Sequence, residues 1–447
     1  MIQSKSAPEQ PKKPSSVRHT RAVQRDRSKR PLSAPPDEQV SARLTELVLP
    51  ATLAQVAHFH ELGLRERVLT LPLMVGLVLS MIWRQVGEVT PLLRLLRTES
   101  QLWVEPRRLT QQAFSERLRT LPAELFLQVL VAVLPQLATR WRERTERPLP
   151  PELDWAHQHF TDVLAVDGST LDALLRRVGL LRDCATAPLA GRMTALLSVL
   201  SRVPRHIWYE ADPQAHDQRA WAQILAALPA GCLFLFDLGY TNFTLFLQLT
   251  TAQITFLTRA KRNLSYTLAR SLFRTGSVHD SLIWIGTGEA RQLVRLIEIL
   301  YHGQWYRYLT NELDPEKLPT AYAVALYAQR WRIEDAYNVV KRLLGLAYFW
   351  TGAQNAIEMQ LWATWLVYAV LVDLTDAVAD ALNQPFARIS LEMVYRSLYF
   401  FTQAYHRGEA SDVVHYLAAN AAWLGLVKRK RNAQTRATPE LTISTSP

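Results

Sequence analysis

The sequence predicts an α/β fold: a mixed sheet with helices on both faces, a β-rich insertion, and helical regions at either end. Three observations carry this. Short apolar runs bounded by turn residues recur between about 160 and 258, the pattern of buried strands. Helix-length stretches alternate with the later runs, which suits a sheet covered by helices. Outside that segment the pattern is helical over long distances.

Residues 1–40 carry six prolines among scattered Lys and Arg. Such a stretch cannot bury enough apolar surface to fold alone, so a disordered basic tail is expected there, and another at 428–447. Residues 41–150 read as helical. Two helices are expected on either side of Pro122, with Arg107, Arg108, Arg117 and Arg119 around the first. This pair suits either a helix-turn-helix-like reader of DNA or a plain helical hairpin with a charged face. The core is expected at 155–350. Apolar runs at 163–166, 193–200 and 207–209 read as strands. A helix at 215–229 follows, then a strand at 232–236, a second helix, and a strand at 254–257. Residues 262–319 break this rhythm with strand signals at 281–285, 292–301 and 304–310, hence the insertion. A long helix is expected at about 323–346, and a C-terminal helical region at 351–427.

Hydrophobic residues make up 49% of the 447, enough for well-buried cores, and the formal net charge is +11. That excess points to a polyanionic partner, nucleic acid or an anionic membrane surface. The apolar run at 68–83 contains Pro72 and falls short of the roughly 20 residues of a bilayer-spanning helix, so it reads as a core helix. The two cysteines, Cys184 and Cys232, match no zinc spacing and suit a reducing compartment.

The acids are singled out by position. Asp167 and Asp237 stand at the C-terminal ends of expected central strands, where ligands bind in such sheets. Each has a glycine within two residues (Gly168, Gly239), which would let the chain turn. Either aspartate could equally be a helix cap or turn residue. Farther on, Tyr327, Arg330, Glu334 and Lys341 stand at offsets of 0, 3, 7 and 14. On a regular helix these fall at about 0°, −60°, −20° and −40°, a single stripe. The stripe is either an exposed ion-paired face or a metal-binding carboxylate flanked by phosphate-gripping cations.

Taken together, VDGST at Asp167, LFDLGYTN at Asp237, FLTRAK ending at Lys261 and the Tyr–Arg–Glu–Lys pattern resemble the DDE transposases of insertion-sequence family four. The resemblance implies an RNase H-like core in which Asp167, Asp237 and Glu334 are catalytic and bind two Mg²⁺ ions, with Mn²⁺ a substitute. It implies nicking, hairpin formation and resolution at element ends, and strand transfer into target DNA. Tyr327, Arg330, Lys341, Arg259 and Lys261 are the expected phosphate-binding residues, and Trp284 and Trp305 the candidates for stacking on a base. The expected partners are double-stranded DNA and a second copy of the chain, in the prokaryotic cytoplasm at the nucleoid, with no membrane. Two other readings stay open: a structure-specific nuclease of the same fold, and a non-catalytic DNA-binding protein descended from a transposase.

Overall fold

The computed structural model describes residues 38–64, 68–172, 189–240, 242–346 and 349–428. The expected tails, apart from 38–40 and 428, lie outside the described residues, as does Cys184. Among the described residues seven helices come first: α1 (Glu38–Leu53), α2 (Val56–Glu61), α3 (Leu71–Trp83), α4 (Val89–Leu95), α5 (Gln111–Thr120), α6 (Glu124–Glu143) and α7 (Pro151–His159). The sheet strands follow: β1 (Val163–Asp172), β2 (Leu189–Ser198), β3 (Pro204–Glu210), β4 (Leu233–Phe236), β5 (Thr255–Arg259), β6 (Thr267–Arg274), β7 (Val278–Ile285), β8 (Gln292–Tyr301) and β9 (Gln304–Thr310). Helices α8 (Trp221–Ala227) and α9 (Phe243–Thr251) flank β4 in sequence. After the sheet come α10 (Thr320–Ala328), α11 (Arg332–Asn338), α12 (Gln354–Ala381), α13 (Leu391–His406) and α14 (Val413–Ala419).

The nine strands of the described residues form one mixed sheet, in the order β3-β2-β1-β4-β5-β9-β8-β7-β6. β1 to β3 are antiparallel; β4 joins β1, and β5 joins β4, in parallel. β9 pairs antiparallel with β5, and the rest continue as antiparallel hairpins. The insertion therefore extends the central sheet. Its outer strand, β6, has side chains exposed at nearly every position and no inside–outside alternation, so no strand was expected there. Its pairing with β7 shifts register twice.

Strand alternation gives the sheet two faces. One carries Leu164, Val166, Phe234, Phe236 and Phe256 against α8 and α9. The other carries Val163, Ala165, Leu233, Leu235 and Leu257 against α7 and α10. Helices from both ends of the chain share a third core. It joins residues of α1 to α6 with α11 to α14, and takes in Met193, Ala195 and Leu197 of β2 and Ile207 of β3. At its centre runs α12, 28 residues long and almost wholly buried. Its Asp373 and Asp376 receive Arg144 at 2.6 and 3.0 Å. Asn355 caps the turn between α5 and α6, accepting from the Ala123 N–H (3.0 Å) and donating to the Leu118 and Leu121 carbonyls. α12 is the one described helix long and apolar enough to cross a membrane, and it lies inside the protein. α3, the run at 68–83, is buried along nearly its whole length, and Thr70 caps it by accepting from the Leu73 N–H.

Two expectations are corrected. β1 does not end at Asp167: it runs to Asp172, and Gly168 sits mid-strand opposite Thr194 rather than at a turn. The single helix expected at 323–346 is three pieces. A tighter 3₁₀ turn at Gln329–Trp331 separates α10 from α11, and a wider π turn follows at Val339–Leu343. Such turns advance the chain by other than 100° per residue, so the stripe computed for a regular helix does not hold as drawn.

Candidate active site

The strand register brings the two aspartates together. Ala165 lies beside Leu235 on the parallel pair β1 and β4, so two residues on Asp167 comes abreast of Asp237. Phe236 lies beside Thr258, which sets Arg259 next in the same row. Alternation aims all three toward the face covered by α10. Each aspartate is held by the same local device. Asp167 Oδ1 accepts from the Gly168 N–H (2.9 Å), and Asp237 Oδ1 from the Leu238 N–H (2.7 Å).

The third acid arrives on α11. Glu334 lies in that helix's first turn. Between the acids stands Arg330, only 4% exposed, so the expected open stripe is closed at this position. Its Nη2 donates to Glu334 Oε1 at 3.2 Å, and its Nη1 lies 3.8 Å from Asp167 Oδ2. Burial opposes the charge on this guanidinium. Tyr327, Asp237, Asp167 and Glu334 together outweigh that and hold its pKa above the ordinary value. Burial pushes the Asp167 carboxyl up to about 6, against the pull of Arg330, with Glu334 and Asp237 adding to the rise. Glu334 is raised for the same first reason.

The other expected residues divide. Tyr327 is buried against Tyr308, ring centroids 5.3 Å apart, and its phenol is raised by burial. Arg259 lies 5.5 Å over the Tyr306 ring. Lys261 is exposed just beyond β5. Lys341 is turned onto the protein: its Nζ donates to Ser169 Oγ (2.7 Å) and to the Thr170 carbonyl (2.6 Å). Trp284 pairs with Leu293 and Trp305 with Leu300, positions of opposite parity on β8, so the two project from opposite faces of the sheet. Only Trp284 shares the face of the acids, with Arg291 over its ring at 4.7 Å. Trp305 stacks on His279 (4.4 Å).

Sequence reading missed Tyr337, whose hydroxyl donates to the Asp167 carbonyl (2.6 Å) and accepts from the Ala195 N–H (3.1 Å). On a regular helix it stands at about −80° from Tyr327, at the border of the stripe; that was the available signal. Three carboxylates are hard oxygen donors of the kind Mg²⁺ and Mn²⁺ take. Among the described residues, no group of three His, Cys, Asp or Glu is gathered closely enough to hold one ion. The acids here are spread around the guanidinium. By chemistry the donor set fits a divalent cation.

Residues 159–370 match the protein-family model described as "Transposase DDE domain", a span that contains all three acids. A curated relative from Sinorhizobium fredii (strain NBRC 101917 / NGR234), named "Putative transposase y4zB", is 27% identical over 187 residues. The match covers 39% of this chain and 50% of that protein, so the chain spans about half the length of the curated relative it matches. Among solved structures, the "Cryo-EM structure of piggyBac transposase synaptic complex with hairpin DNA (SNHP)" is similar at 10% identity and TM-score 0.37. That match covers 90% of this chain and 88% of that one.

Proposed function

We propose that this chain is a DDE transposase of insertion-sequence family four, cutting element ends and joining them to target DNA from an RNase H-like core. The observation that carries the reading is the convergence of Asp167, Asp237 and Glu334 around Arg330, inside the segment that matches the transposase domain. The strand order β3-β2-β1-β4-β5, antiparallel then parallel, supports the RNase H-like part.

Asp167, Asp237 and Glu334 would hold two Mg²⁺ ions, or Mn²⁺, which when bound supply activation of the attacking water or 3′-hydroxyl and stabilise the leaving oxygen. Arg330 balances the acids and orients Glu334 through its 3.2 Å bond. Arg259, in the same row as Asp167 and Asp237, and the exposed Lys261 beyond it would meet DNA phosphates. Tyr327 would support Arg330 rather than touch DNA, since it is buried. Lys341 would hold β1 before it holds phosphate. Trp284 is the better of the two stacking candidates, because it shares the face of the acids. Hairpin formation and resolution, a DNA-bound homodimer and action at the nucleoid belong to the same proposal. Within it, residues 41–150 bind element ends and 351–427 complete the helical core.

The test is a labelled duplex of the DNA flanking the reading frame, with Mg²⁺ and target plasmid. The expected result is nicking followed by joined product, with both lost in Asp167→Ala, Asp237→Ala and Glu334→Ala while binding persists. Nicking without joining would favour the structure-specific nuclease. Binding without either, equal in wild type and variants, would favour the non-catalytic DNA-binding protein.

A further inference from the structure

We propose that Tyr337 is a positioning residue: its hydroxyl, set between β1 and β2 at Asp167, fixes where Glu334 stands relative to Asp167. The proposal rests on the reading that these two acids act together on DNA. Asp167 and Ala195 face each other in the antiparallel register of β1 and β2. The Tyr337 hydroxyl lies between that carbonyl and that N–H, donating to one at 2.6 Å and accepting from the other at 3.1 Å. A side chain from α11 thus joins two strands at the residue that carries the first acid.

The mechanical link is short. Glu334 lies three residues before Tyr337, about one helical turn and about 4.5 Å along the axis. The π turn then brings Lys341 onto the next residues of β1, Ser169 and Thr170. Helix and strand are therefore tied at two successive points, at Asp167 and just beyond it. Packing alone does not call for a tyrosine here. The ring, 6% exposed, meets Trp365 edge-on at 6.0 Å, and phenylalanine would fill nearly the same volume. What the hydroxyl adds is the pair of hydrogen bonds. A displaced reacting group of about 1 Å can slow a reaction by about a hundredfold without touching substrate affinity.

The test uses the full chain, Mg²⁺ and a 5′-labelled duplex of the DNA flanking the reading frame. Tyr337→Phe should lower kcat for nicking by about ten- to a hundredfold, with KM and the melting temperature close to wild type. Trp365→Phe, which touches the ring and not the hydroxyl, should lower the melting temperature and leave kcat near wild type. Should Tyr337→Phe fail to fold, Ser169→Ala loosens the neighbouring tie and should lower kcat several-fold in a stable protein; an unchanged kcat there overturns the proposal. Wild-type kcat in folded Tyr337→Phe, or an equal loss in Trp365→Phe, also overturns it while leaving the reading of the acids intact. A wild-type chain that leaves the duplex uncut overturns that reading and this proposal with it.

Discussion

At the scale of single residues, sequence brought three acids forward as candidates but not the state of their neighbours. Arg330 was expected on an open stripe, either in an exposed i, i+4 pair or gripping phosphate. Instead the guanidinium is buried between Asp167 and Glu334, whose own side chains stay 25% and 36% exposed. Arg330→Ala is expected to cost about 1–3 kcal/mol, through the lost charged hydrogen bond and the lost packing of a buried side chain, and not the few tenths of an exposed pair. Urea melts of the variant and wild type give the difference. Cys232 offers a pH test well away from the site. Burial pushes its thiol up to about 12, above the roughly 8.5 of an exposed cysteine. The raised folded value means its stabilising contribution is complete below the unfolded pKa. It is lost as pH rises toward the folded one. In a Cys184→Ser background, stability should fall between about pH 8.5 and 10, and Cys232→Ala should flatten that slope in melts across the range. A slope that Cys232→Ala leaves unchanged would refute the assignment.

At the scale of elements, legibility followed burial. β1, β4 and β5 announced themselves as apolar runs because both faces are covered. β6 did not, because neither face is. The helix carrying Glu334 was legible as a helix, but its two irregular turns were not. The second turn carries Lys341, whose tie to Ser169 leaves no periodic trace in the sequence. The same limit hid Arg295. It is fully buried on β8, bound to Asp280 through Nε (2.8 Å) and Nη2 (2.5 Å). It also donates to the Leu318 carbonyl (2.7 Å) and to Thr320 Oγ (3.0 Å), at the start of α10. One guanidinium thus fastens the sheet extension to the element that leads to Arg330 and Glu334. Arg295→Met should cost about 3–5 kcal/mol, since Asp280 stays behind uncompensated. Adding Asp280→Leu should recover much of that in a double-mutant cycle read by chemical denaturation.

At the scale of the whole molecule, the chain closes on itself. The sequence suggested regions in succession, and α12 gathers the helices of both ends into one core together with β2 and β3. No pattern local to 41–150 or 351–427 could have told that each completes the other. A fragment of residues 155–350 would expose Met193, Ala195, Leu197 and Ile207, which that core buries. It is expected to bind a hydrophobic dye and to lack a cooperative melt, while the full chain unfolds in a single transition by circular dichroism. A fragment that melts sharply would refute this.

The outermost strand has a consequence for handling the protein. β6 ends the sheet with a row of backbone groups that another copy could extend, and Leu268 and Phe273 on it are more than half exposed. Such an edge is a template for runaway association. The register breaks along β6 and the charges of Arg270 and Arg274 are its guards. The guards are electrostatic in part, so salt weakens them. The concentrated protein should therefore cloud first at raised ionic strength, and growth should begin from this side of the molecule.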